Sequence, residues 1–293
     1  MNAKTKEVIN RIAIVCSNVI NGFSGTISSI FRILLFSKIS IAFKSRLYRD
    51  LKMHDNCTIL ANGPSLKSAI ENNEVRLKDV DIFCVNSFCE SEYFWQIRPR
   101  FYFLIDGAFF NPKNERNERQ VASLIEALNK VNWDLLLCIP THAICGGVLK
   151  GLKNERIKIL RFNTTTTEGY SWFANLIYRY SMGMPWCMNV VNFAEMSAMQ
   201  MKFKNIYLYG IDHTFPAQLF VDDDNCVCSR EHHVYATEGR VFKLPHTSMS
   251  RILRNQSRAF SIHEQLEDYS KSVGCKIYNC TKGSFVDAYA RIT

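Results

Sequence analysis

Residues 57–66 read CTILANGPSL, and the fold turns on how this stretch divides. CTILA (57–61) is an apolar, β-prone run of the kind that forms a strand buried on both faces, and a polar, helix-like segment begins at LKSAIENNE. Asn62, Gly63, Pro64 and Ser65 therefore stand where a strand hands over to a helix. Gly63 permits torsions closed to other residues and lets a ligand approach the main chain. Pro64 suits a first helical position, and Ser65 offers a hydroxyl and an amide at a helix start, a place suited to phosphate. The spacing matches neither G-x-G-x-x-G nor G-x-x-x-x-G-K-[ST], so the turn is a phosphate candidate outside both fingerprints, beside the plainer reading of a strand-to-helix turn.

Further runs repeat the pattern: DIFCVN (81–86), RFYFLID (100–106), DLLLCIP (134–140), RIKILRF (156–162), NIYLYGID (205–212) and CKIYNC (275–280). Between them lie segments of helical period such as ERQVASLIEALNKV (118–131) and NVVNFAEMSAMQMKF (189–203), and a further helix is expected near Gln256–Ser270. The alternation predicts an α/β fold with a mostly parallel sheet covered by helices on both faces. In such sheets ligands bind beyond the carboxyl ends of the strands. Those ends carry Asn62-Gly63, Asn86-Ser87, Asp106-Gly107 and Gly210-Ile211-Asp212-His213. Each is ordinary turn composition alone; together they suggest one shared site. Asn86 and Asp106 suit the hydroxyls or base edge of a nucleotide, or equally cap the loops that follow them. Asn189 is placed to cap the helix that starts at Val190 while the same helix start aims its amides into the site.

The 293 residues, 47% of them apolar, suffice for one large α/β domain (53–293) with an appendage (1–52). Of the net charge of +9, residues 1–52 hold +7, nine Lys or Arg against two acids. Outside this arm the charge is nearly balanced and no recognition module is present, so a nucleic-acid partner is not expected. The arm is apolar but broken by Asn, Ser, Gly, Arg32 and Lys38, and on that reading falls short of a clean membrane span. Basic residues beside amphipathic turns suit either a membrane surface or a packing extension. The eleven cysteines include no C-x-x-C and are read as reduced, buried cytosolic thiols.

Between 213 and about 255 periodicity fails, and the segment is read as an irregular lid. It contains Asp222-Asp223-Asp224, which resembles a metal-binding DxD element but is read here as a solvated turn, and Cys226 and Cys228 near His232 and His233, a weak zinc signal. A histidine of near-neutral pKa is the usual proton acceptor for a sugar hydroxyl, which singles out His213, His232 and His233.

ANGPSLK, the NSF after the second strand, YGIDH and a histidine-aromatic motif in the lid resemble the bacterial family 42 sialyltransferases. RPRFYFLIDGAFF, VDDDN followed by HVY, and KIYNCTKGSFVDAY resemble at least as closely the MptE-like (domain of unknown function 115) proteins found with surface-polysaccharide genes. The resemblance covers about Cys57 to Arg291 and implies a Rossmann-like, metal-independent glycosyltransferase with no cofactor, using a CMP- or other nucleotide-linked donor and a glycan or glycolipid acceptor at the inner face of the membrane. Carried over, Asn62, Gly63 and Ser65 hold phosphate and ribose beside Pro64; Asn86, Gly210 and Asp212 contact the nucleotide; Asn189 and Val190 lie close by. His233, in an HVY that includes Tyr235, is the base, with His232 its near alternative. Thr214 and Phe220 replace two leaving-group tyrosines of the sialyltransferases, leaving that role to His213, Arg230 or Arg240, and Asp106 replaces an Asn. Some MptE-like proteins are instead pterin diphosphokinases using ATP and Mg²⁺, in which the acids at 222–224, or Asp106 with Asp212, would hold metal; a non-catalytic nucleotide-binding scaffold is the third reading.

Overall fold

The computed structural model describes residues 3–143, 146–231 and 240–292. Strands β1 (Asn56–Leu60), β2 (Asp81–Val85), β3 (Phe101–Phe103), β4 (Leu135–Pro140), β5 (Ile157–Phe162) and β6 (Asn205–Tyr209) alternate with helices, and β7 (Leu219–Val221), β8 (Val227–Glu231) and β9 (Arg240–Lys243) precede β10 (Lys276–Asn279) and β11 (Ala290–Arg291). The helices are α1 (Ala3–Phe36), α2 (Ile39–Leu47), α3 (Ser65–Glu71), α4 (Glu92–Ile97), α5 (Glu115–Lys130), α6 (Val148–Gly151), α7 (Ser171–Arg179), α8 (Val190–Gln200) and α9 (Met249–Val273). Eight strands form one parallel sheet in the order β11-β10-β6-β1-β2-β3-β4-β5, the Rossmann-like α/β arrangement expected from the alternation.

Side-chain alternation along the strands divides the core into two layers. On one face Ile59, Phe83, Phe103 and Leu208 pack under α8 and α9; on the other Leu60, Tyr102, Leu137 and Tyr209 pack under α3, α4 and α5. All eleven residues of α8 are buried, because the sheet lies on one side of it and α9 on the other. α5 buries only Val121, Leu124 and Leu128, one stripe at helical spacing, and starts on the Asn114 side chain, which accepts the Asn117 amide. α9 ends on Gly274 at φ 71°, a left-handed cap open to glycine.

Two expectations change in the body of the fold. α9 begins at Met249, earlier than the helix expected near Gln256, because Ser248 caps it by accepting the Arg251 amide while its polar first turn hides the periodicity. The stretch read as an irregular lid contains the antiparallel sheet β7-β8-β9. Its strands VCSRE (227–231) and RVFK (240–243) mix apolar and charged residues, so no continuous apolar run marks them.

The arm is continuous with the fold. α1 is one 34-residue helix despite its Asn, Ser and Gly residues, and Val15–Phe36 meets the length and composition of a bilayer span, correcting the expectation that it falls short. Ser29 is fully buried and bonds both the carbonyl and the amide of Glu168 (2.9 and 2.8 Å), and Arg32 pairs with the Glu168 carboxylate at 2.9 Å. α2 packs on β5, and Tyr48 meets Phe162 edge-on at 5.3 Å, covering a strand that would otherwise present an open edge. Among the described residues all cysteines are free thiols, six of them buried.

Candidate functional site

The chain runs from β1 outward to β5 and then returns to lay β6 on the other side of β1, so the strand order reverses between β1 and β6. Loops leaving adjacent strands in opposite directions open a crevice there. A cavity of about 300 Å³ occupies that position, lined by Ala61–Pro64 after β1, Gly210–Phe215 after β6, Val191 and Gln218.

The two loops are zipped together at their roots. Ala61 donates its amide to Tyr209 and Gly63 to Gly210, both at 2.9 Å. A Cβ on Gly63 would fall 1.9 Å from a carboxylate oxygen of Asp212 and 2.3 Å from the Gly210 carbonyl, so only glycine fits. Asp212 is buried and accepts from the Ser65 amide (3.2 Å) and hydroxyl (2.8 Å) at the start of α3. Burial raises the Asp212 pKa, and the two bonds from Ser65 oppose that rise. A carboxylate thus stands where the sequence placed phosphate. The loop after β10 supports this arrangement: Thr281 accepts the Ile211 amide, Ser284 donates to the Ile211 carbonyl and Phe285 donates to the Asp212 carbonyl.

His213 sits at φ 47°, in the left-handed region, with its Nε2 3.2 Å from the Asn189 side-chain amide. Asn189 also caps α8 by accepting the Asn192 amide at 2.9 Å, the cap expected from the sequence. Burial first, and the neighbouring His263 second, lower the His213 pKa to about 4, while a bond to the Ile211 carbonyl works the other way. At neutral pH the ring is uncharged and its Nε2 accepts from Asn189. Behind it His263 lies edge-on at 5.0 Å, bonded to Tyr289 (2.9 Å) and near Glu195 (3.4 Å), all buried. Phe215 and Phe260 complete the wall around the His213 ring.

Asn62 donates to the Val85 carbonyl at 3.2 Å and leaves its Oδ1 buried and without a partner. Asn86, at φ 48°, has its main-chain carbonyl bonded by the Tyr102 hydroxyl, and its Oδ1 is likewise buried and unpartnered. Two orphaned acceptors thus stand at adjacent strand ends, that of Asn62 beside the cavity and that of Asn86 outside its lining.

Six expected residues, Asn62, Gly63, Pro64, Gly210, Asp212 and His213, line one cavity, and Ser65 and Asn189 are bonded to its wall. Val190 begins α8 beside the lining Val191. Asp106 is exposed, caps its own turn by accepting the Ala108 amide, and lies past β3 outside this lining. β6 and β3 are separated by two strands, about 14 Å at ordinary spacing, too far for Asp106 and Asp212 to share one ion. His232, His233 and Tyr235 lie outside the described residues. Thr281, Ser284, Glu195 and His263 were not singled out from sequence; the signals available were the polar TKGS turn after the last strand and a lone Glu inside the apolar VVNFAEMSAM.

The triple acid forms the turn between β7 and β8. Lys243 already bridges Asp222 (2.8 Å) and Asp224 (2.9 Å), which fills the place a hard cation would take. Asp222 also lies within metal-binding distance of Cys226 and Cys228, but it is committed to Lys243 and to the Cys226 amide.

The fold and crevice define a doubly wound α/β protein with a pocket at its switch point, between the loops that follow β1 and β6. Residues 34–218 match the model of the family described as 6-hydroxymethylpterin diphosphokinase MptE-like, and the chain belongs to that family. A similar solved structure is the MAf glycosyltransferase from Magnetospirillum magneticum AMB-1, at 16% identity and a TM-score of 0.49, covering 83% of this chain and 34% of that one. No curated protein matches the chain.

Proposed function

We propose that this protein is a glycosyltransferase that moves a sugar from a nucleotide-linked donor, with CMP-linked sialic acid or a related acidic sugar as first candidate, to a glycan or glycolipid acceptor in surface-polysaccharide synthesis. The observation that carries the reading is the switch-point cavity, where Asn62 leaves a buried acceptor free beside Asp212 and His213, with Asn86 outside the lining at the end of the next strand. A second cavity, lined by Phe220 and Arg230, shares Gln218 with the first. The nucleoside occupies the first, and the phosphate and sugar extend toward Arg230, whose guanidinium lies 5.5 Å over the Phe220 ring and takes over from the absent tyrosines.

In the reaction the acceptor oxygen attacks the anomeric carbon opposite the leaving group. One C–O bond forms as the bond to the donor phosphate breaks with its electrons on phosphate, and the acceptor proton passes to His233, or to its neighbour His232. General-base help of this kind is worth about 10²- to 10⁴-fold. No divalent metal is assigned, because Asp212 is the one carboxylate among the described lining residues and it is bonded to Ser65.

The family description favours a second reading, a pterin diphosphokinase using ATP and Mg²⁺. Thermal-shift measurements with CMP, UDP, GDP and ATP, each with and without Mg²⁺, separate the two, since a ligand of the folded state raises its stability. The transferase reading expects stabilisation by CMP unaffected by EDTA; stabilisation by ATP alone, and only with Mg²⁺, would sink it. Transfer that survives unchanged in both His233→Ala and His232→Ala would remove the assigned base.

A further inference from the structure

The arm is amphipathic in the inverted sense. The face of α1 that meets the protein is mostly small and polar, with Ile33 as a buried apolar residue on it: a Cβ on Gly22 would fall 2.5 Å from Tyr170 and one on Gly25 2.9 Å from Gly169, while Thr26, Ser29 and Arg32 bond residues 168–170. The opposite face carries Ile20, Phe23, Ile27, Phe31 and Leu34, spaced three and four apart and 39% to 75% exposed. A helix that merely covers a core has the reverse arrangement. α2 continues the stripe with the exposed Ile39, Phe43 and Leu47, and α7 adds the exposed Trp172 and Leu176 with Tyr180 at its cap. The Arg46 guanidinium lies over both Phe43 (5.5 Å) and Tyr180 (4.9 Å), so the stripes of α2 and α7 adjoin.

Charge identifies the occupant. The net +7 of residues 1–52 accompanies this surface, and Lys38, Lys44, Arg46 and Arg49 are exposed around α2. A second copy would set the basic residues around α2 against their like, whereas anionic lipid headgroups complement them, with the basic stems and the Trp and Tyr rings at the level where such groups settle. Val15–Phe36 is long enough to cross a bilayer, yet its contacts with the body run from Val19, bonded by the Tyr170 hydroxyl, to Lys38, bonded to Asn163. The helical part of that stretch, Val19 to Phe36, is about 26 Å long, most of the hydrocarbon thickness. Crossing would carry the 163–170 loop, with Glu168, into lipid.

We propose that α1, α2 and α7 form one docking face for an anionic bilayer, on which α1 lies in the plane of the interface. The face is independent of what the pocket binds. The test is sedimentation of the full chain with vesicles of phosphatidylcholine, alone or mixed with phosphatidylglycerol. Binding is expected to the mixed vesicles, reduced by salt, released by alkaline carbonate, and weakened about tenfold or more in Phe23→Gln/Phe31→Gln with thermal unfolding unchanged. Lys44→Gln/Arg49→Gln should weaken binding to the mixed vesicles alone. Failure to bind either vesicle at low salt overturns the proposal, as does carbonate-resistant insertion. A lipid-free dimer by light scattering that Phe31→Gln dissociates, without vesicle binding, would instead assign the face to a second copy.

Discussion

The Asp212 carboxylate holds the pocket together through contacts that single substitutions can break. Asp212→Ala strands the Ser65 amide and hydroxyl in a half-buried place, and a loss of about 1–3 kcal/mol is expected in urea unfolding, with Asp212→Asn milder because its amide still serves both groups. Gly63→Ala forces a methyl group into the same carboxylate, so a loss of about 1–3 kcal/mol should come with loss of the nucleotide-induced thermal shift. His213 gives the stability a pH signature. Its folded pKa is about 4 and its unfolded pKa near 6.5, so the unfolded chain binds the extra proton between those values. Stability is therefore complete above about pH 6.5 and falls toward pH 4, by about 3 kcal/mol for this group. Asp212, raised above its ordinary value, acts in the opposite sense at the acidic end of that window. Unfolding of His213→Gln across pH 4–7 should show a flatter slope than the parent; an unchanged slope would show that His213 is not the group titrating.

At the scale of elements, α1 is secured by a few polar contacts and the buried Ile33 instead of a continuous apolar stripe. Ser29→Ala removes two bonds at a fully buried position, for an expected loss of about 1–3 kcal/mol in urea unfolding, and should speed proteolysis of the arm before the body unfolds. These contacts were invisible in sequence because their partner loop lies more than a hundred residues downstream. Seven strands of the parallel sheet were legible, since those buried on both faces write themselves as continuous apolar runs. β7–β9 were not, because short strands on a partly exposed sheet mix charges, aromatics and turn residues.

The whole molecule depends on the arm to close one side of its sheet. A chain beginning at residue 53 loses Tyr48, Ala42 and Ser45 from β5 and uncovers Phe162, so it should lose about 3 kcal/mol or more and aggregate through that edge, as read by unfolding midpoint and light scattering. Light scattering that matches the full chain would show that β5 needs no cover.

Local pattern sufficed for the strand series, the doubly wound fold class, the Asn189 cap and the polar residues at the strand ends, because apolar periodicity and turn chemistry are properties of neighbouring residues. Tertiary structure decided which strand ends share a pocket. Placing β6 beside β1 brought Asp212 and His213 to Asn62 and Gly63, left Asp106 past β3, and gave the start of α3 to a carboxylate. It also decided that the apolar side of α1 faces outward, since which face of a helix is covered depends on the partner that packs against it, and that partner is chosen by long-range contacts.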